Sequence, residues 1–113
     1  MPYIELKTDR KISKEIEAEL IKSFGRAIEI FPGKTERYLM VNIEGERSMA
    51  FAGEIGSCCM VTVDLLGTAS EETYLEMTKA TCKLVADALN IPENRVYVKY
   101  SEYERWGCGG INF

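Results

Sequence analysis

The chain of 113 residues contains no histidine. This removes the commonest general base and the commonest transition-metal ligand. Ser-His-Asp and Cys-His machinery is excluded, as are His-based zinc and iron sites. Proton transfer near neutral pH must then fall to a perturbed carboxylate, lysine, cysteine or tyrosine, or to an N-terminal amine. Long apolar runs are also missing and charges begin at Glu5, so neither a transmembrane segment nor a secretory signal is expected. Positive charge is thin. Fourteen basic residues stand against 18 acidic ones, for a net charge of −4, and no Lys/Arg run exceeds two. That balance argues against phosphate-backbone binding, so neither nucleic acid nor membrane is expected as a partner.

What is present suits a globular fold. Hydrophobic residues make up 46% and charged residues 28%, which opposes disorder and favours one domain over residues 1–113. The four cysteines, Cys58, Cys59, Cys82 and Cys108, lack the close spacing of structural zinc ligands, so no metal is expected. Cys58 and Cys59 are adjacent and face opposite sides of a strand; Cys82 sits on an apolar helical stripe. All four read as reduced thiols of a reducing compartment.

The periodicity gives two β-α-β runs. Tyr3–Lys7 is β-prone. Ser13 caps a helix with Ile16, Leu20, Phe24, Ala27, Ile28 and Phe31 on one face, ended by Pro32-Gly33. Arg37–Glu44 and Met60–Leu66 read as strands, with an irregular SMAFAG piece between them. Ser70 opens a second helix carrying Tyr74, Thr78, Cys82, Val85, Ala86 and Leu89, closed before Pro92. Arg95–Tyr100 is the last strong strand, and the tail WGCGGINF is glycine-rich. A shift of 58 positions (74 − 16) lays the first stripe on the second. The chain is therefore read as a pseudo-repeat with halves of about 1–55 and 56–113. The expected fold is α+β in two layers: a four-stranded mixed sheet with two helices on one face. The strands read as apolar on both faces, so a partner is expected against the uncovered side.

The chain resembles the macrophage migration inhibitory factor group of the tautomerase superfamily. The matching residues are Pro2 after Met1, Pro32-Gly33-Lys34 followed by Tyr38, Met49-Ala50-Phe51-Ala52-Gly53, Leu66-Gly67, Asn94-Arg95-Val96-Tyr97-Val98, and a Gly-rich segment closing on Phe113. The resemblance implies a homotrimer with active sites at subunit interfaces. It implies a cofactor-free keto–enol tautomerase, an isomerase of the phenylpyruvate or dopachrome type. Pro2, freed by loss of Met1, would be the base and acid. A free α-amino group has a pKa of about 7.7–8.0, and burial and nearby cations lower it.

By the same resemblance, Lys34 holds the substrate carboxylate or enolate, and Leu66 offers its backbone amide. Tyr97 lines the site from a neighbouring subunit. Tyr3, Trp106 and Phe113 form apolar walls for a small α-keto acid or its enol. Two departures stand out. Lys99 replaces an asparagine of mammalian members, a change open to three readings: a lower Pro2 pKa, a more anionic substrate, or exclusion of the usual ligands. Cys108 takes a position that is often tryptophan. The family's Cys-x-x-Cys is broken, because Val61 stands at the second cysteine, which opposes a thiol reductase. The rival reading is a cytokine-like signalling protein that binds a receptor and keeps a vestigial pocket. The expected location is the cytoplasm, or outside the cell by export without a signal peptide.

Overall fold

A computed structural model describes residues 1–113. Strand β1 (Pro2–Thr8) leads to helix α1 (Lys14–Ala27), then to β2 (Met40–Glu44). Two short strands follow, β3 (Ala50–Phe51) and β4 (Glu54–Ile55). Then come β5 (Cys59–Leu66), α2 (Glu71–Leu89), β6 (Val96–Tyr103), β7 (Gly107–Cys108) and β8 (Ile111–Asn112). The main sheet has the order β2-β1-β5-β6. Its inner pair is antiparallel and both outer pairs are parallel. The mixed four-stranded sheet with two βαβ units is as the periodicity predicts. The same shift of 58 carries α1 onto positions 72–85, inside α2, and β1 onto 60–66, inside β5.

Each helix begins where a serine can satisfy a free N–H. Ser13 Oγ accepts from Ile16 N at 3.1 Å, and Ser70 Oγ accepts from Thr73 N at 3.2 Å. Acidic residues in both first turns oppose the positive end of the helix dipole. α2 stops on Asn90 in the left-handed conformation, just before Pro92. Leu20 and Phe24 of α1, with Met77, Val85 and Leu89 of α2, pack on Ile4, Leu6, Val61, Val63 and Leu65 of the sheet. The α2 stripe is rotated slightly from its sequence reading. Met77 and Thr81 are buried at its centre, while Tyr74, Thr78 and Cys82 are half-buried along its flank.

Several boundaries move. Arg37 and Tyr38 do not begin a strand; they lie in a 3-10 turn (Glu36–Tyr38), and β2 starts at Met40. Arg95 likewise sits in a 3-10 turn before β6, which runs on to Tyr103. The SMAFAG piece is a tight β3–β4 hairpin, and the glycine-rich tail folds as the β7–β8 hairpin.

The expectation of an apolar open face is also corrected. Val41, Ile43, Val61, Val63, Leu65, Val96 and Val98 all fall on the helix-covered face, because alternate side chains share a face. The other face carries Glu5, Lys7, Asn42, Glu44, Thr62, Asp64 and Lys99 among Tyr3, Met40, Met60 and Tyr97. It is open but largely polar, so apolar burial alone does not call for a partner there.

Candidate functional site

The Pro32-Gly33 pair builds one wall of the site. Lys34 N donates to Phe31 O at 3.0 Å, and Gly33 has φ +78°. Proline second and glycine third is the pattern of a type II turn, whose third position needs positive φ. The turn aims Lys34 at the end of β5, where its Nζ donates to Leu66 O at 2.9 Å. Leu66 N in turn donates to Met1 O at 3.1 Å. Pro2 is buried beside this junction, opposite Leu65. The Met1 amine titrates below its ordinary value, first through burial and then through the nearby Lys34 cation. Pro2, Lys34 and Leu66 thus meet in one place, although they come from distant parts of the chain.

A hollow of about 660 Å³ opens from Met1. Tyr3, Tyr38, Asp64, Trp106 and Cys108 line it, with Arg37 and Arg105 beside them. Tyr3 and Asp64 are cross-strand partners on β1 and β5. Burial and the nearby Glu5 raise the Asp64 pKa, while Lys99 opposes the rise. Tyr3 donates to Glu5 Oε2 at 3.1 Å. Trp106 packs edge-on against Tyr103 at 5.9 Å and accepts the Phe113 N–H through its carbonyl at 2.9 Å. Phe113 itself lines a neighbouring hollow with Leu66 and Gly67.

Tyr97 does not join this group within one protomer, whereas Lys99 stays within electrostatic reach of Asp64 on the same face of the sheet. Tyr97 is in register with Met60 and Lys99 with Thr62, toward the opposite end of β5 from Leu65. Five residues of strand separate the Tyr97 level from Pro2, roughly 17 Å. Tyr97 instead packs edge-on against Phe51 at 5.0 Å. Sequence reasoning did not place Tyr38, Asp64, Arg37 or Arg105 in the hollow. Asp64 could have been found only from the β1–β5 register. The two arginines lie in turns, where spacing carries no directional signal.

The family model described as macrophage migration inhibitory factor (MIF) matches residues 1–112. A macrophage migration inhibitory factor homolog of Brugia malayi is 26% identical over 104 residues, covering 92% of this chain and 90% of that one. The crystal structure of Leishmania major MIF2 overlays with a TM-score of 0.93 at 23% identity, covering 100% of this chain and 97% of that one. A structure described as a fused 4-OT symmetric trimer overlays at a TM-score of 0.84 with 17% identity, covering 96% and 94%. With the matched model running almost end to end, the chain belongs to the macrophage migration inhibitory factor family, and those structures share its fold.

Proposed function

We propose that the chain is a keto–enol tautomerase of small α-keto acids of the phenylpyruvate type, working without a cofactor. One observation carries this reading: the Met1 carbonyl occupies the Leu66 N–H while the Met1 amine lies beside Lys34. Removal of Met1 would leave the Pro2 nitrogen as a secondary amine at a buried position and free the Leu66 donor. Burial and the Lys34 charge both hold such an amine unprotonated near neutral pH.

Pro2 then removes a proton from the carbon next to the substrate carbonyl. The electron pair moves onto the carbonyl oxygen, and the resulting enolate is stabilised by Lys34 and the Leu66 N–H. The protonated Pro2 amine then delivers that proton to the oxygen, which gives the enol and restores the free amine; the reverse path returns the ketone. Tyr3 and Trp106 offer an apolar wall for an aryl group, with Phe113 close by through Leu66. Tyr97 would reach the site from a neighbouring subunit, which suits a homotrimer, the assembly named for the overlaid 4-OT structure, while Lys99 stands near Asp64 in the same subunit.

The test is conversion of phenylpyruvate between enol and ketone, followed by absorbance on protein shown by mass spectrometry to have lost Met1. Pro2→Ala should lower kcat/KM by on the order of 10²-fold or more, the usual contribution of a positioned base. Equal activity in wild type and Pro2→Ala would overturn the mechanism.

A further inference from the structure

Two arginines line the hollow from separate segments. Arg37 comes from the 3-10 turn before β2, and Arg105 from the link between β6 and β7. Both are exposed, and neither has a carboxylate within 4.0 Å. The Arg37 guanidinium lies over the ring of Tyr38, another lining residue, at 5.5 Å. The charged lining is completed by Asp64 alone, so the hollow carries two cations against one carboxyl group. Lys34 is a third cation outside this lining: it borders an adjoining hollow with Leu66, whose carbonyl it holds, and lies beside the Met1 amine. The acids nearest in sequence to Arg105 and Tyr103, Glu102 and Glu104, line the adjacent hollow instead.

Cations without acidic partners in an aromatic-walled hollow are poised for an anion that arrives with the ligand. A monoanionic aryl keto acid would satisfy Lys34 and leave both arginines idle. Resting on the tautomerase reading, we propose that the preferred ligand is a dianion. One carboxylate sits at Lys34 and the Leu66 amide, and a second anionic group, separated from it by an aromatic or similarly flat spacer, sits between Arg37 and Arg105. Guanidinium forks favour a planar carboxylate at that far position.

Trp106 is the sole tryptophan and lines the hollow, so its fluorescence reports binding without any turnover. Wild-type protein is titrated with phenylacetate and with 4-carboxyphenylacetate, which differ only in the second carboxylate. The dianion should bind about tenfold tighter, since hydrogen-bonded guanidinium–carboxylate pairs are the strong class. That preference should shrink as salt is raised, because the rim is open to solvent. In Arg37→Gln/Arg105→Gln the ratio of the two affinities should fall toward one. Arg37→Lys/Arg105→Lys should keep part of it, which separates charge from a general loss of structure. Equal affinities in the wild type, or a preference that survives the Gln pair, would overturn the proposal. In parallel, kcat/KM for phenylpyruvate and 4-carboxyphenylpyruvate is compared. If neither turns over while the binding ratio holds, the tautomerase reading fails and the dianion site stands.

Discussion

The Lys34 side chain does two separable things at one junction: it holds Leu66 O and it lowers the N-terminal pKa. Its removal should therefore change the pH profile as well as affinity. A cation that depresses an amine keeps it in the basic form to lower pH. In Lys34→Ala the acid limb of kcat/KM should move to higher pH, and KM for an α-keto acid should rise by about tenfold, the scale of one charged hydrogen bond. A pH profile taken on Met1-free protein checks both; an unmoved limb would mean that Lys34 binds without tuning the base. The thiols make a second test at this scale. Cys59 is pushed up to about 12 by burial and by neighbouring Cys58, Cys82 and Asp9. Cys58 is also raised, by burial and then by Asp9. Cys108 is exposed at the hollow. A thiol reagent on native protein should modify one cysteine quickly, and Cys108→Ser should abolish that fast phase. A fast phase left intact would place it at another thiol. The raised pKa of Cys58 agrees with the broken Cys-x-x-Cys motif, since a thiolate is the form that exchanges disulfides.

At the scale of elements, the β3–β4 hairpin and the turn after it are clamped by one side chain that reaches four of their carbonyls. Arg95 Nε donates to Ser57 O at 2.7 Å, and its terminal nitrogen donates to Gly56 O at 2.8 Å and reaches Phe51 O and Glu54 O at 3.4 Å. The guanidinium also lies 4.9 Å from the Phe51 ring centre, and the side chain is only 15% exposed. Arg95→Ala would strip four carbonyls of a buried donor and should cost about 2 kcal/mol by urea unfolding. Arg95→Lys should recover little, because one ammonium cannot present the planar fork. If Arg95→Ala unfolds like wild type, the hairpin is held by something else. The helices and long strands were legible because each has a period and a cap: Ser13, Ser70, the two stripes and Pro92 all write their role in local sequence. The Arg95 clamp was not, because Arg37–Glu44 and Arg95–Tyr100 look alike as β-prone runs. In each, the first residues are instead drawn into a 3-10 turn by bonds local in space. The site divides the same way. Pro2, Lys34 and Leu66 could be named from motifs, whereas Asp64, Arg37 and Arg105 enter the hollow only through strand register and turn geometry.

On the scale of the whole molecule, the separation of Pro2 from Tyr97 becomes a test of assembly. Within one protomer these residues sit at opposite ends of β5, roughly 17 Å apart along the strand. A site that uses both must borrow Tyr97 from a second copy. The open sheet face is polar, so assembly would rest on strand edges, the hairpins and specific charge pairs more than on a greasy surface. In a cyclic trimer each site would join Pro2 of one subunit to Tyr97 of the next. Pro2→Ala and Tyr97→Ala protein, each impaired alone, should then complement each other. With equal amounts unfolded together and refolded, a site has an intact Pro2 with probability one half and an intact Tyr97 with probability one half. About one quarter of sites should therefore be whole, and activity should return to about a quarter of the wild-type value. Each protein refolded alone supplies the baseline, and sedimentation reports the subunit number. Shared sites cannot be reconciled with a mixture that shows only the average of its two components. Recovery near one quarter would place Tyr97 across an interface and make the trimer a requirement of the chemistry rather than of stability.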